Sequence, residues 1–445
     1  MDVHVFRSPR EGIDLSFIEV HPGDWVVLKP NLVKEGNELR PEEWDYVITS
    51  PWVIETVCED VCRKLQGRGR VTICDAPQTD SSFAKIAERL DLYGIARRCE
   101  AAHGVPVEVV DLRNEEWTNE GGIITERRKL EGDPNGAIAF DLARDSYFYG
   151  KDTWSCGEEG EGGRYYGADY DSRIVNKHHH GDLHEYLICA TPVLADVFIN
   201  LPKLKTHKKT GVTLNLKNLV GINADKNWLP HHTEGSPRDG GDQYPDLTLD
   251  RRAEQVAVAF ARKLALSVPG LGPRVAQNLR KAGTAAFGSG EEVIRSGNWH
   301  GNDTTWRMVL DLNRCLLYGN PDGTLRRDRP KRYFCVIDGL LGMDGMGPMQ
   351  GDPVESDVLI GGSDPVCVDA VAARIMGFDW RKLAVIREAF EPRALPLTLA
   401  TPTDIRVRCD DPAWDGPLPA VEGRAFLSFE PHFGWRGHIE YAREP

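Results

Sequence analysis

A dense group of cationic side chains follows a short apolar run, Val197–Ile199, in this sequence. Lys217 and Asn218 come shortly after the group. The whole chain carries a formal net charge of -14, so average surface composition does not account for this group. Two interpretations stay open: an ordinary lysine-rich surface loop, or a strand that ends in an anion-binding and catalytic loop. The group consists of Lys203, Lys205, His207, Lys208 and Lys209.

His207 and Lys217 are the side chains whose types suit acid–base or covalent catalysis. Histidine changes its protonation near neutral pH, which suits general acid–base work. A lysine beside other cations has its charged form disfavoured, so its pKa falls and it can act as a base or a nucleophile. We predict that both face one cavity at the carboxyl edge of a sheet, and that Thr210 caps a helix carrying Lys217.

Further polar side chains are candidates for holding an anionic substrate. Lysines would bind its carboxylate or phosphate, and asparagines would orient it. The polar segment 223–246, which includes Asp242, directly follows the basic group, and a compact segment of this length often covers a site. For every lysine, the alternative is a salt bridge to one of the surplus carboxylates. The predicted substrate-binding residues are Lys29, Asn31, Asp75, Lys203, Lys205, Lys209, Asn215, Asn218, His231 and His232.

Two groups of residues are candidates for binding a divalent metal ion. Asp338 and Asp344 lie in a glycine-rich run, and they would either offer oxygens to a hard cation together with His207, or cap turns. His178–His180 with His184 would either bind metal or be solvated. The glycine-rich run matches neither the phosphate-loop pattern nor GxGxxG, so it gives little support for a nucleotide site.

The cysteines of the chain are scattered singly rather than in metal-binding motifs. Cys58 and Cys62 are spaced by one helical turn and not as in CxxC, so we expect no iron–sulfur cluster. Reduced thiols fit a cytoplasmic protein. No run approaches the roughly 18 apolar residues of a membrane span, and the N-terminus lacks a signal-peptide apolar core. We therefore predict a cytoplasmic protein without a membrane partner.

The overall composition favours a partner that is a small molecule. With 41% hydrophobic residues, the 445-residue chain can bury a sizeable core in one large or two ordinary domains. Its acidic balance argues against nucleic-acid binding, which requires basic surface. We expect a small anionic metabolite as the partner, and the sequence leaves the oligomeric state open.

Short apolar runs alternate with helical stretches in the first part of the chain. This alternation predicts an α/β fold with a mainly parallel sheet, helices on both faces and loop-rich insertions. Ligands collect at the carboxyl ends of strands in such sheets, so the predicted loops Lys29–Asn31, Asp75–Pro77 and Lys203–Lys209 should converge. The predicted strands are Trp25–Leu28, Arg70–Cys74 and Val105–Val110, and the predicted helices are Trp52–Leu65 and Ser81–Leu92.

The patterns divide the chain into three predicted units. Residues 1–222 form an α/β lobe with KPN and PKLKTH loops at strand ends. Residues 223–300 form a polar lid loop and a helical insertion at Arg251–Lys281, and residues 301–445 form a second α/β part. That part contains the predicted helices Trp306–Leu317 and Val366–Met376 and the predicted strands Tyr333–Ile337 and Val358–Ile360.

Four stretches of the sequence resemble recurring features of the family known as domain of unknown function number 362. They span most of the chain in the expected order. Some relatives carry ferredoxin-like cysteine motifs, which this sequence lacks. The stretches are KPN at Lys29–Asn31, PKLKTH at Pro202–His207 with Lys217 and Asn218 after it, the run ending in GPxxG at Asp338–Gly351, and DPVCVDAVAARIMG at Asp364–Gly377.

The basic stretch is also distantly similar to the amino-terminal domain of lactate racemase-like enzymes, which carries PHxxAGxSGGxK. In those enzymes the lysine anchors a nickel-pincer nucleotide and histidines perform acid–base chemistry. The resemblance implies a shared fold and a shared site position. His207, Gly211 and Lys217 match the spacing, Thr213 stands where serine would be, and Leu214 and Asn215 replace the paired glycines.

Two functions from different classes follow from these patterns. The first is a cytosolic enzyme that acts on a small carboxylate- or phosphate-bearing metabolite through His207 and Lys217, as an isomerase, a racemase-like enzyme or a group-transfer enzyme. The alternative is a noncatalytic binder of an anionic ligand or nucleotide that uses the same lysines as a clamp. A depressed pKa of Lys217 together with a solvent-reachable His207 favours the enzyme, and fully paired lysines favour the binder. The sequence leaves the substrate, the reaction and any cofactor open.

Overall fold

The fold is organised around an eleven-stranded, mostly parallel sheet. The computed structural model describes residues 1–120, 123–151, 156–167, 172–246, 293–328, 331–420 and 427–441. The described strands are β1 (Asp2–Arg7), β2 (Trp25–Pro30), β3 (Arg70–Asp75), β4 (Val107–Asp111), β5 (Glu115–Glu120), β6 (Ile123–Lys129), β7 (Ala137–Asp141), β8 (Tyr165–Tyr166), β9 (His179–His180), β10 (Leu183–Cys189), β11 (Val197–Leu201), β12 (Lys203–His207), β13 (Gly211–Thr213), β14 (His232–Thr233), β15 (Arg332–Asp344), β16 (Asp352–Gly362), β17 (Arg406–Cys409) and β18 (Gly416–Pro417).

Helices connect many of these strands. The described α-helices are α1 (Pro51–Leu65), α2 (Phe83–Arg89), α3 (Leu92–His103), α4 (Ser172–His178), α5 (Ala190–Leu194), α6 (Asn215–Asn218), α7 (Thr305–Tyr318), α8 (Pro365–Ile375) and α9 (Ala384–Arg387). None of them combines the length and apolar character that crossing a membrane requires. The predicted helix Arg251–Lys281 lies outside the described residues.

The strand order of the large sheet is β18-β17-β1-β16-β15-β11-β2-β3-β4, and β12 pairs with β15 beyond the end of β11. β2 pairs in parallel with β3, placing Val26 beside Val71, and β11 pairs in parallel with both β2 and β15. The antiparallel pairs are β1 with β16, β15 with β16, β17 with β18 and β12 with β13. The predicted α/β fold with a mainly parallel sheet is confirmed.

Helices cover both faces of the sheet, because successive residues of a strand point to opposite sides. Val27 and Phe198 belong to an apolar cluster that contains the buried faces of α7 and α8. Val26 and Ile199, their neighbours along the same strands, belong to a second cluster with α1 and α3. The central strands are therefore buried on both sides, which is why they read as continuous apolar runs.

Strands from distant parts of the sequence share this sheet. β11 lies within residues 1–222 and β15 within residues 301–445, and the two pair directly from Val197 with Arg332 onward. The first and third of the sequence-derived units therefore contribute to the same sheet and to the same core.

Some predicted boundaries were wrong. The predicted helix Ser81–Leu92 is two helices, because the chain turns between α2 and α3 at Asp91, which has a φ of 49°. The predicted strands Tyr333–Ile337 and Val358–Ile360 are longer, and they form a hairpin, β15–β16, that extends through much of the glycine-rich run.

The PKLKTH stretch is a strand, β12, and not the predicted loop. Its lysines suggested solvent exposure, since lysine is rarely buried without a partner. Lys203 and Lys205 are nevertheless fully buried, because other segments of the chain provide polar partners for both. Thr210 was wrongly predicted to cap a helix. It lies in the turn between β12 and β13, where its hydroxyl donates to the Val212 carbonyl at 2.9 Å.

Candidate functional site

A cavity of about 600 Å³ opens at the carboxyl ends of the central strands. Lys29 and Asp75 reach it from the ends of β2 and β3, His207 from the end of β12, and Lys217 from α6. The carboxyl ends of parallel strands meet at one edge of a sheet, which is where ligands of open α/β sheets bind. His207 and Lys217, ten positions apart in the sequence, thus line the same space.

Most of the predicted catalytic and substrate-binding residues line this cavity. Three do not, and neither do the predicted metal ligands Asp338 and Asp344. Lys203, Asn215 and His232 lie outside its wall. Lys208 and Lys226 line it without having been assigned a role, since Lys208 was one of several neighbouring lysines and Lys226 stands alone in a polar segment. The predicted residues in the wall are Lys29, Asn31, Asp75, Lys205, His207, Lys209, Lys217, Asn218 and His231.

The side chain of Lys217 is partly buried and makes no hydrogen bond or ion pair with the described part of the chain. Desolvation and then the nearby Lys226 and Lys29 ammonium groups lower the pKa of Lys217 to about 7. Desolvation also lowers the pKa of Lys226 to about 8. Both lysines are therefore partly neutral near pH 7. No described carboxylate lies within ion-pair distance of either, and the charge of Asp75 only partly offsets the desolvation of Lys226.

His207 is held in one tautomer. Its Nδ1 accepts the backbone N–H of Lys209 at 3.0 Å, so in the neutral ring the proton resides on Nε2. Burial, and then the charges of Lys217 and Lys208, lower the pKa of His207 well below its ordinary value of 6.5. A neutral imidazole with Nε2–H can donate a hydrogen bond to a bound ligand.

His231 has the opposite tautomer. Its Nδ1 lies 2.9 Å from the Leu229 carbonyl, an acceptor only, so Nδ1 carries the proton and Nε2 has a free lone pair. Burial, and then the charge of Lys209, lower the pKa of His231 to about 3. The cavity therefore contains one imidazole that donates through Nε2 and one that accepts through it.

Lys29 is balanced by Asp75 at 2.7 Å, and both side chains are buried. The pair lies directly against Gly221, where a Cβ atom would stand 2.0 Å from Asp75 Oδ1 and 2.7 Å from Lys29 Nζ. Only glycine allows the backbone to approach the ion pair so closely. Asp75 also accepts the backbone N–H of Leu32 at 2.8 Å, which fixes the segment after β2.

A row of hydrogen-bonded amides runs beneath the cavity. Lys205 Nζ donates to Asn31 Oδ1 at 2.9 Å, and Asn31 Nδ2 donates to Asn218 Oδ1 at 2.8 Å. Asn218 Nδ2 donates to Asn200 Oδ1 at 2.7 Å, and Asn200 Nδ2 lies 2.8 Å from the Tyr333 hydroxyl. Burial, with Lys203 and Lys217 nearby, lowers the pKa of Lys205 well below 10.5. The row ties β2, β11, β12, β15 and α6 together.

His232 and Asp242 have structural contacts instead of facing the cavity. The His232 ring stacks on Tyr166 at a centroid distance of 5.3 Å. Asp242 accepts the N–H of Thr233 at 2.6 Å, and its other oxygen accepts the Thr304 hydroxyl at 2.6 Å. These contacts fix the polar segment after the basic stretch, so that His231 rather than His232 reaches the cavity.

A model of the family described as domain of unknown function, DUF362, matches residues 26–129 and 157–374, well over half of the chain. The chain belongs to the DUF362 family. The predicted resemblance to this family is confirmed. No curated protein matches the chain. The similarity to lactate racemase-like enzymes stays a prediction.

The DPVCVDAVAARIMG stretch of this DUF362 chain holds the helix that carries Lys217. Asp369 Oδ1 accepts the backbone and side-chain N–H groups of Asn215 at 2.8 and 2.9 Å, and its Oδ2 accepts the N–H of Leu216 at 3.0 Å. Asn215 thus faces α8 and not the cavity. Leu214 is fully buried and also outside the cavity wall, so neither residue that replaces a glycine of the racemase pattern occupies the space beside Lys217.

The PKLKTH and aspartate-glycine stretches of the DUF362 chain meet in a buried ion pair. Lys203 Nζ lies 2.9 Å from Asp338 Oδ2, and both side chains are completely buried. The same oxygen accepts the N–H of Ser50 at 2.7 Å, at the start of α1. The alternative interpretation of the sequence, a salt bridge, therefore describes Lys203.

Within the described part of the DUF362 chain, no group of three or more His, Cys, Asp or Glu side chains is arranged to hold a metal ion. His207, Asp338 and Asp344 accordingly do not form one. Asp338 is paired with Lys203, and its other oxygen accepts the backbone N–H of Leu340 at 3.1 Å, which is a local turn-capping contact. Asp344 accepts the backbone N–H of Glu430 at 2.9 Å, a long-range contact and not the cap of a turn.

The histidines between α4 and β10 pack against aromatic rings. His179 and His184 are fully buried, and the His184 ring stacks on Phe148 at 5.6 Å. His178 stacks on Trp228 at 3.3 Å. Neither of the two sequence interpretations, metal binding or solvation, describes His179 and His184, whose burial lowers their pKa values.

Proposed function

We propose that the protein is an enzyme that acts on a small anionic metabolite, bearing a carboxylate or a phosphate, by acid–base or covalent chemistry at His207 and Lys217. Lys217 carries the proposal, because its pKa is about 7 and no described residue pairs with it. A lysine that is half neutral at physiological pH can accept a proton or attack a carbonyl group, whereas a clamp needs only the charge. The ten free thiols support a cytoplasmic location.

The charge of the cavity wall supports an anionic substrate. Each of its three described carboxylates already has a lysine partner, Asp75 with Lys29, and Glu38 and Asp80 with a shared Lys34 at 3.5 and 3.0 Å. Four lysines of the wall have no carboxylate within ion-pair distance in the described part of the chain: Lys205, Lys208, Lys217 and Lys226. In an acidic chain, unpaired cations gathered in one cavity favour a bound anion.

A proton transfer beside a carboxylate or carbonyl fits these groups. Neutral Lys217 would take the proton from the carbon next to the anionic group, and the electron pair of the broken C–H bond would move onto the adjacent oxygens. The unpaired ammonium groups would stabilise that charge, and His207 Nε2–H would donate to it. Delivery of a proton from water to the opposite face, with the proton held by Lys217 passing to solvent, gives the other stereoisomer, as in racemase-like chemistry. Return of the Lys217 proton to a neighbouring carbon gives an isomer.

Hydrogen exchange in D₂O tests this proposal. Wild-type protein is incubated with a panel of 2-hydroxy, 2-amino and 2-oxo carboxylates. NMR follows the signal of the C2 proton of the hydroxy and amino acids, and of the C3 protons, next to the keto group, of the 2-oxo acids. We expect that at least one compound exchanges, and that Lys217→Ala and Lys217→Arg slow the exchange by at least about 100-fold, the usual effect of losing a general base. Arginine keeps the charge but does not lose its proton.

Lys85→Ala is the matched control, because Lys85 is an exposed lysine of α2 outside the cavity wall. It should exchange at the wild-type rate, and circular dichroism should show that all variants fold. A Lys217→Arg protein that exchanges as fast as wild type would contradict the role of Lys217 in proton transfer.

The alternative function is noncatalytic binding of an anionic ligand or nucleotide by the same lysines. The unpaired charges of Lys208 and Lys226 favour it as much as they favour the enzyme. The variant Lys217→Arg distinguishes the two functions. It keeps the positive charge, so a noncatalytic clamp should still bind its anion, whereas an enzyme should lose proton transfer. Absence of exchange for every compound, with sulfate affinity retained in Lys217→Arg, would establish the clamp instead.

A further inference from the structure

A second cavity, of about 430 Å³, lies beside the first. It is formed by the β5–β6 hairpin on one side and by residues 223–227 on the other. Thr79 and Lys226 line both cavities, so the two spaces meet at these residues. A ligand that extends past Lys226 from the first cavity therefore enters the second.

Asn223 is the polar group of this second cavity that the fold leaves unsatisfied. Its side chain lines the cavity and is 1% exposed. Neither its Nδ2 nor its Oδ1 has a hydrogen-bond partner within the described structure. Buried amides are almost always hydrogen-bonded, and an unsatisfied one is costly. A donor and an acceptor side by side in a wall are suited to a polar ligand group that satisfies both.

The charges around Asn223 favour an anionic ligand. Arg113 and Arg128 are balanced, since Glu116 lies 2.9 Å from each, and Asp111 lies 2.7 Å from Arg113. No described carboxylate lies within ion-pair distance of Arg127, Lys129 or Lys226. The two carboxylates of the wall are Asp225 and Glu115, which stands opposite Lys129 in the β5–β6 ladder.

Asp225 and Arg127 of the second cavity both have protein partners. Asp225 Oδ1 accepts the backbone and side-chain N–H groups of Asn227 at 2.9 and 2.8 Å. The guanidinium of Arg127 lies 4.5 Å from the ring centroid of Trp117, which itself lines the first cavity. The hairpin therefore contributes an apolar ring to the first cavity and cations to the second.

We propose that the second cavity is a subsite for the far end of the substrate, and that the substrate is an elongated dianion. One anionic group of the substrate binds among Lys208, Lys217 and Lys226 in the first cavity. The other anionic group binds beside Lys129 in the second cavity. A polar group of the substrate next to this second anionic group forms hydrogen bonds with the Asn223 amide. This inference rests on the proposed anionic substrate, and it adds that the substrate has charge at both ends.

Calorimetric titration with phosphonates tests the second subsite. Methylphosphonate probes the first cavity alone, and linear bisphosphonates of increasing chain length probe both. Because the second group binds intramolecularly, we expect one chain length to bind at least about tenfold more tightly than methylphosphonate. Asn223→Asp and Lys129→Glu should each weaken that bisphosphonate by roughly five- to tenfold, since both place a carboxylate beside the second phosphonate.

Methylphosphonate affinity should be unchanged in Lys129→Glu, because an exposed charge outside the first cavity is screened at physiological salt. Lys85→Glu, an equal charge change on an exposed lysine outside both walls, should alter neither affinity. If Asn223→Asp fails to fold, Lys129→Glu still decides the result. Methylphosphonate binding without any gain for the bisphosphonates would overturn the second subsite alone. No binding of methylphosphonate, of sulfate or of any carboxylate in the exchange panel would overturn the anionic substrate of the proposed function with it.

Discussion

The protonation state of Lys217 determines how strongly the first cavity attracts an anion at a given pH. Its pKa of about 7 means that the ammonium form is complete only below that pH, and Lys226 follows with a pKa of about 8. We therefore expect sulfate, whose charge is constant over this range, to bind most tightly near pH 6 and progressively more weakly between pH 7 and 9. Calorimetric titration with sulfate across this range measures the effect.

The matched variant for this prediction is Lys217→Met, which has no titrating group at that position. It should bind sulfate more weakly at pH 6 and lose the first part of the pH dependence, so that the remaining decline centres near pH 8, the pKa of Lys226. His207 does not contribute above pH 6, because its pKa is held well below 6.5. A wild-type affinity that stays constant from pH 6 to 9 would contradict the lowered pKa values.

α6 has only four residues and cannot be stable on its own. Asp369 of α8 supplies the acceptors for its first N–H groups. Replacing this carboxylate by an amide in Asp369→Asn removes one acceptor, and we expect a loss of about 1–3 kcal/mol in unfolding free energy together with weaker sulfate binding, since Lys217 shifts. Urea denaturation and calorimetric titration measure the two effects.

Asp364→Ala separates the two effects, because Asp364 caps α8 itself through the N–H groups of Val366 and Cys367 and makes no hydrogen bond to α6 within the described residues. We expect it to lose about 0.5–2 kcal/mol of stability, as other lost N-caps do, while sulfate affinity stays at the wild-type value. Equal losses of affinity in both variants would mean that Asp369 acts through global stability and not through the position of Lys217.

Elements with a strong periodic pattern were predictable from the sequence. The predicted bounds Trp25–Leu28 and Trp52–Leu65 differ from those of β2 and α1 by only one or two residues. A short apolar run and an amphipathic stretch that begins at a proline depend mainly on local conformational preferences, which the sequence shows directly. β12 was not predictable. Two of its five residues are lysines, and only the folded chain reveals the partners that allow their burial.

The cavity could be predicted in outline but not in its membership. Lys29, His207 and Lys217 were identified because they follow strands or stand in a basic group. Asn215 belongs to the same short stretch as Lys217, but its partner, Asp369, is 154 residues away, so no local pattern could indicate that it faces α8. No sequence pattern identified Asn223 or Lys226 as site residues either. They become candidates only because the distant β5–β6 hairpin forms a cavity next to them.

The pair between Lys203 and Asp338 joins β12 to β15 at the centre of the molecule. We expect Lys203→Met to cost about 3–5 kcal/mol of unfolding free energy, because it leaves the buried Asp338 carboxylate without its counter-charge. Adding Asp338→Asn should recover part of that loss, since an amide oxygen still accepts the Ser50 N–H without a charge. Urea denaturation of the single and double variants measures this.

Sulfate affinity should be unaffected in these variants at a temperature where they are folded, because Lys203 lies outside the cavity wall. A loss of affinity in Lys203→Met as large as that in Lys217→Met would instead place Lys203 among the anion-binding residues, as the sequence first suggested.

Because β11 pairs with β15, which lies much later in the sequence, the candidate site is completed only late in synthesis of the chain. His207 and Lys217 leave the ribosome well before β15 and α8 do. Until then one edge of β11 is open, Lys203 has no counter-ion, and α6 lacks the carboxylate that holds it. The nascent chain would thus carry every lysine and histidine of the cavity wall before the cavity is complete. Its exposed strand edge is the surface that a chaperone would recognise.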